Sequence, residues 1–152
     1  MSVEVHVAAD GVRVPLALAR VAAIARGVLV GERVRSVQLS ITFVKRRAIA
    51  ALNRRHIGHR GPTDIVTFEF AAAPGAPRVG DVYIAPDVAR EYALRFGRPV
   101  REELARLVVH GALHAVGHTH PEDATREASA MWQRQERYVA RLFAATTTSA
   151  RA

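Results

Sequence analysis

The sequence predicts a single α/β (α+β) domain, a small mixed sheet of four strands covered by helices. Three observations carry this expectation. The 152 residues suffice for one domain with its own core. The residues are 49% hydrophobic and 24% charged, an ordinary balance for a globular chain. The hydrophobic period switches between two and about 3.6 in the order β-α-β-α-β-β-α-α-α.

Taken in order, "VEVHVAA" (3–9) alternates as an edge or half-buried strand. Residues 14–30 carry an amphipathic helix, stopped by Gly31. "VRSVQLSITFV" (34–44) alternates through Val37, Leu39, Ile41 and Phe43 and gives the clearest strand. "KRRAIAALNRRH" (45–56) is a short helix with Ile49 and Leu52 inward and arginines outward. The loop "IGHRGP" leads to "TDIVTFEF" (63–70), a β-branched and aromatic strand, and "AAAPGAP" is a flexible connection. "GDVYIA" (80–85) is the fourth strand. Pro86 then opens a helix that Gly97 closes after Phe96. In "PVREELARLVVHGALHAVG" the stripe Val100, Leu104, Leu107, Gly111, Ala115 predicts a helix with one buried face, ending at Gly117. Pro121, Glu122 and Asp123 look like the first turn of a last helix reaching about residue 144. The domain is expected to span 1–145, with 146–152 a disordered tail.

Composition limits the chemistry. There is no cysteine, which excludes disulfides, thiolate metal sites and cysteine nucleophiles, so any metal must rest on His, Asp or Glu. "MSVEVHVAADG" alternates and carries Glu4, unlike a signal peptide, and "VPLALARVAAIARGVLV" is interrupted by Arg20 and Arg26, unlike a membrane span. A cytoplasmic, soluble chain is expected. Net charge is +8, with Lys45 the one lysine among 22 basic residues. Residues 11–60 hold eleven bases and one acid, Glu32, whereas from 61 onward eleven bases face eleven acids. A one-sided arginine-rich segment suits a polyanionic partner, because the guanidinium fork matches phosphate oxygens.

Four of the seven histidines fall within "HGALHAVGHTH" (110–120). His110 and His114 stand four apart on a helix, so both project from one face about a turn apart and can reach one ion. Gly117 lets the chain turn back, bringing His118 or His120 toward the same point. Three imidazoles plus an open position is the catalytic form of a zinc site; a structural site would fill all four. Zinc proteases with this first spacing carry a glutamate directly after the first histidine as general base. Here that residue is Gly111, which argues against peptide hydrolysis.

"HGALHAVGHTH" resembles the signature of the YbeY family of bacterial ribosomal-RNA maturation endoribonucleases, H-G-x-L-H-x-x-G-Y-D-H. "ALNRRHIGHRGPTDIVTFEF" is similar to the family's Leu-Asn segment and its Thr-Asp strand, "GDVYIAPDVARE" to its Gly-Asp-Ile strand and following helix, and "REELARLVVHG" to the run-in. The resemblance spans most of residues 51–131. It implies one zinc ion per chain on His110, His114 and His120, with His118 at the family's tyrosine position. It also implies cleavage of single-stranded RNA in small-subunit (16S) ribosomal RNA 3′-end maturation and ribosome quality control. Ribosomal RNA and ribosome-assembly factors would be the partners.

Two positions depart from the family pattern. Thr119 replaces the aspartate before the third histidine, and Asp64 is the nearest match to a family motif acid, with Asp123 a second candidate. Ile57 stands where many members have an arginine, for which Arg60 or Arg55 would compensate from a shifted loop. In this reading zinc polarises a water or a phosphate oxygen, with Asp64 and Arg60 as catalytic candidates. Lys45, Arg46, Arg47, Arg54 and Arg55, on one short helix, are the candidate RNA-binding residues. A metallohydrolase of another substrate class, and a non-catalytic ribosome-associated protein with a structural metal, are the competing readings.

Overall fold

A computed structural model of the chain describes residues 2–56, 64–70, 75–118 and 125–144. The elements are β1 (Ser2–Ala9), α1 (Leu18–Gly31), β2 (Ser36–Phe43), α2 (Arg46–His56), β3 (Ile65–Phe70), β4 (Arg78–Ile84), α3 (Pro86–Arg95) and α4 (Val100–Ala115). A 3₁₀ turn (Arg126–Ala128) then precedes α5 (Ala130–Tyr138), whose C-terminal end widens into a π turn (Val139–Phe143). The four strands form one mixed sheet in the order β1-β2-β4-β3. β1, β2 and β4 run parallel, while β3 pairs antiparallel with β4, Thr67 opposite Val82. This is the mixed α/β sheet that the alternating pattern predicts.

The period-two pattern decides which face is covered. Leu39, Ile41 and Phe43 of β2 share a face with Val82 and Ile84 of β4, and all are buried. Val21, Ile24, Val28 and Leu29 of α1 and most of α4 join them in the main core. Gln38 and Glu4 on the opposite face are exposed. Among the described residues that face is covered toward β3 and β4, where Ile49 of α2 packs with Val66, Val88 and the edge-on pair Phe68–Tyr83.

Three elements differ from expectation for identifiable reasons. α1 begins at Leu18, not residue 14: Pro15 biases Val14 away from helical geometry, and Leu16 is instead buried as part of the core. The last helix begins at Ala130, after an N-cap Ser129 whose Oγ accepts from the Trp132 N–H; residues 121–124 lie outside the described residues. α4 is buried all round, Glu103 to Leu113, where one apolar stripe was expected. It is enclosed by the sheet beneath it and by α1, α3 and α5, so even its polar residues must find partners inside.

Glycines set how closely α4 lies on the sheet. A Cβ at Gly111 would come within 2.7 Å of Val82 Cγ1, and one at Gly80 within 2.7 Å of the Ala115 Cβ. The residue after His110 therefore faces β4, and a glutamate there would be driven into the sheet. The missing protease base thus has a packing reason. Gly111→Ala gains up to about 1 kcal/mol of helix propensity. The stiff, buried Val82 cannot yield cheaply, and overpacking costs about 1–3 kcal/mol. Net destabilisation is expected as a lower urea midpoint, and an unchanged or raised midpoint would contradict the close approach.

Candidate metal centre and its cleft

α4 presents His110 and His114 with ring centroids 4.6 Å apart, edge to face. His110 is buried, and its Nδ1 lies 2.6 Å from Gln135 Oε1 across from α5. Gln135 is itself buried, and its Nε2 donates to Glu136 Oε2 at 3.0 Å. The amide can satisfy both neighbours in one orientation only: nitrogen toward the Glu136 carboxylate, oxygen toward the imidazole. Nδ1 of His110 therefore carries the proton, and Nε2 carries the lone pair that a cation requires. The two imidazoles of α4, with the His110 Nε2 left free to donate its lone pair, suit a divalent ion such as zinc.

Behind this pair stands a charged lattice. The Arg106 Nε donates to Glu136 Oε2 at 2.9 Å, and its other guanidinium nitrogens donate to Glu136 Oε1 and Glu103 Oε2, each at 2.9 Å. Burial alone would raise the Glu136 pKa, but the hydrogen bonds from Arg106 and Gln135 outweigh it and hold the carboxyl below its ordinary value. The buried guanidinium of Arg106 is raised in turn by its two carboxylates. The order of control is Arg106 to Glu136 to Gln135 to His110.

A second carboxylate holds the far side. Gly117 adopts φ 103°, which favours glycine, and turns the chain after α4. His118 Nε2 then meets Glu32 Oε1 at 2.6 Å, just past the end of α1. Glu32 also accepts from the Tyr138 hydroxyl at 2.6 Å and the Arg134 Nε at 3.0 Å. Burial would raise the Glu32 pKa, but these three donors bring it below the ordinary 4.5. A carboxyl lowered in the folded state adds stability above its unfolded pKa, lost as pH falls through the folded value. The melting temperature is therefore expected to drop below about pH 4.5, and the drop should flatten in Glu136→Gln. A profile level down to about pH 3 would contradict both pairings.

The cleft itself has a volume of about 310 Å³ and lies between α3, α4 and α5. His110, Gln135 and Asp64 all line it. Asp64 stands just before β3, where its carbonyl accepts from the Ala85 N–H at 2.9 Å. His110 and Asp64, 46 residues apart in sequence, are thus brought together. His114 is half-buried one turn along. Among the described residues no three His, Asp or Glu side chains form a complete metal cluster; His120, Thr119, Asp123, Ile57 and Arg60 lie outside those residues. On α2, Arg47 and Arg54 are exposed, as is Lys45 just before it, while Arg46 pairs with Glu91 of α3. The side chain of Arg55 is not among those described.

The fold and this histidine helix agree with a known family. The family model for endoribonuclease YbeY matches residues 15–143. The chain belongs to the YbeY family. Among its relatives, the endoribonuclease YbeY of Myxococcus xanthus is 39% identical over 111 residues, covering 69% of this chain. The endoribonuclease YbeY of Frankia alni is 36% identical over 134 residues, covering 80% of it. The matched segment is 38% of the Myxococcus protein's own length and 72% of the Frankia protein's. The solution structure of TM1509 from Thermotoga maritima shares the fold, with a TM-score of 0.63 at 22% identity over 95% of this chain and 93% of that one.

Sequence reasoning misses Gln135, Glu136 and Arg106 as supports of the YbeY-type site, and Glu32 as the partner of His118. No motif marks them. The one available signal was Ser129, a cap residue that sets the start of α5 and hence the phase that turns Gln135 inward.

Proposed function

We propose that this chain is a zinc-dependent endoribonuclease that cuts single-stranded RNA, acting in small-subunit (16S) ribosomal RNA 3′-end maturation and ribosome quality control. The observation that carries the reading is the His110–His114 pair, with His110 lining a cleft and held in one tautomer by Gln135, in a chain of the YbeY family. His120 is assigned as third ligand by motif position, and the engagement of His118 with Glu32 supports that choice. Bound there, the cation supplies Lewis-acid polarisation of a phosphate oxygen or a water.

The chain's own groups supply the rest. His110 is held rigidly by its hydrogen bond to Gln135. We assign Asp64 to proton transfer, as a carboxylate lining the same cleft, and Arg60 to the charge developing on phosphorus. Lys45, Arg47 and Arg54 face solvent and would track backbone phosphates, and Arg55 is assigned with them from its place in the sequence of α2. Arg46 contributes less, being engaged by Glu91. No helix among the described residues is long and apolar enough to cross a membrane, which accords with a cytoplasmic role beside ribosomal RNA and ribosome-assembly factors.

The test offers metal-loaded protein single-stranded RNA, duplex RNA, a peptide and an ester. Cleavage of single-stranded RNA alone is expected, with RNA affinity falling steeply as salt rises. Peptide or ester hydrolysis without RNA cleavage would favour the other-metallohydrolase reading. RNA binding without cleavage would favour a ribosome-associated protein with a structural metal.

A further inference from the structure

One wall of the cleft has no part in holding a cation. Tyr92 and Phe96 project from the C-terminal end of α3 with ring centroids 5.8 Å apart and planes 27° from parallel, and both line the cleft. They are 46% and 58% exposed, unusual for large rings that a core could have absorbed. Arginines flank them: the Arg95 guanidinium lies 5.8 Å from the Tyr92 centroid and that of Arg98 5.9 Å from the Phe96 centroid. Trp132, the chain's one tryptophan, lines the same cleft from α5. Stacked rings interleaved with guanidinium groups form the surface on which unpaired nucleobases stack, because every base has a π-face and its strand is anionic.

We propose that Tyr92, Phe96 and Trp132 form a subsite for one unpaired nucleobase of the RNA strand, next to the phosphate presented to His110. The inference rests on the RNA-cleaving function proposed above and adds the base contact to it. The cleft volume, about 310 Å³, falls in the range of pockets that enclose a small planar ligand. The Glu127 carboxylate lines the cleft as well and can accept from the N–H edge of a base, while the faces of the stacked rings offer a phosphate no donor, so the base and not the backbone suits this wall. A base inside a duplex has both faces covered by its neighbours, so the subsite selects single strands. Stacking strength then gives a modest preference for purines.

The experiment uses metal-loaded full-length chain and a single-stranded oligoribonucleotide of about ten residues, with a second oligonucleotide lacking the base at the cleavage position. Tyr92→Ala/Phe96→Ala is expected to raise KM by about 5- to 150-fold on the intact strand, with metal content unchanged. It should leave KM on the abasic strand near the already weakened wild-type value. Phe96→Trp should retain tight binding, and Leu94→Ala, exposed on the same helix outside the cleft, should match wild type. Binding of the intact strand should also perturb Trp132 fluorescence. An unchanged KM in the folded, metal-loaded double variant overturns the subsite while leaving the ribonuclease standing. An equal loss on the intact and abasic strands overturns it too. If wild type cleaves a peptide and neither RNA, the function beneath the proposal fails and the subsite with it.

Discussion

His114→Ala is expected to abolish stoichiometric metal binding and to slow RNA cleavage by at least about 100-fold. A positioned cation contributes several kcal/mol to stabilising phosphoryl charge, and each 1.36 kcal/mol is a factor of ten in rate. His114 is the informative ligand to remove because it is half-buried, whereas His110 is buried and tied to α5. Its loss should leave the core intact, so the variant should melt near the metal-depleted wild type. Elemental analysis of the purified variant, run beside a cleavage time course, reads both effects. Cleavage persisting at the wild-type rate would remove the cation from the mechanism.

Gln135→Leu is expected to weaken metal binding by about 10- to 100-fold, although residue 135 is no ligand. Leucine approximates the volume but leaves the His110 Nδ1–H without its acceptor and takes a donor from Glu136. An unsatisfied buried group also costs about 1–3 kcal/mol of stability. A purely structural residue would lower the melting temperature alone. An orienting one must also change the metal dissociation constant measured on folded protein well below that temperature. Gln135→Glu separates the two, since a carboxylate still accepts from Nδ1–H. It should retain most of the metal affinity while losing stability, through repulsion from Glu136. Equal affinities in wild type and Gln135→Leu would contradict the orienting role.

The strands and the order of elements were legible because one sheet face is buried and the other largely open, which writes a period of two into β2 and β4. α4 was legible as a helix but not as one enclosed on all sides. Glu103, Arg106 and His110 lend it a polar pattern, and the Arg106–Glu103 pair within α4 together with Glu136 and Gln135 of α5 makes their burial tolerable. The histidine pair could be read from spacing four, a local property. Gln135 lies 25 residues from His110, and Glu32 lies 86 from His118, so these pairings are properties of packing and not of any window. The charge asymmetry misleads in a similar way: Glu32, the lone acid of residues 11–60, is not a flaw in a basic surface but the anchor that three donors share. The aromatic wall on α3 reads in sequence as ordinary helix. Only the cleft shows that Tyr92 and Phe96 stay outside the core.

The most direct test is to strip the chain with a chelator and titrate zinc back while following cleavage of single-stranded RNA. Activity should be absent at the start, rise in proportion to added metal and saturate at one equivalent per chain, with no recovery in His114→Ala. Full activity in the stripped protein, or a rise with no relation to one equivalent, would contradict a single catalytic cation on His110 and His114.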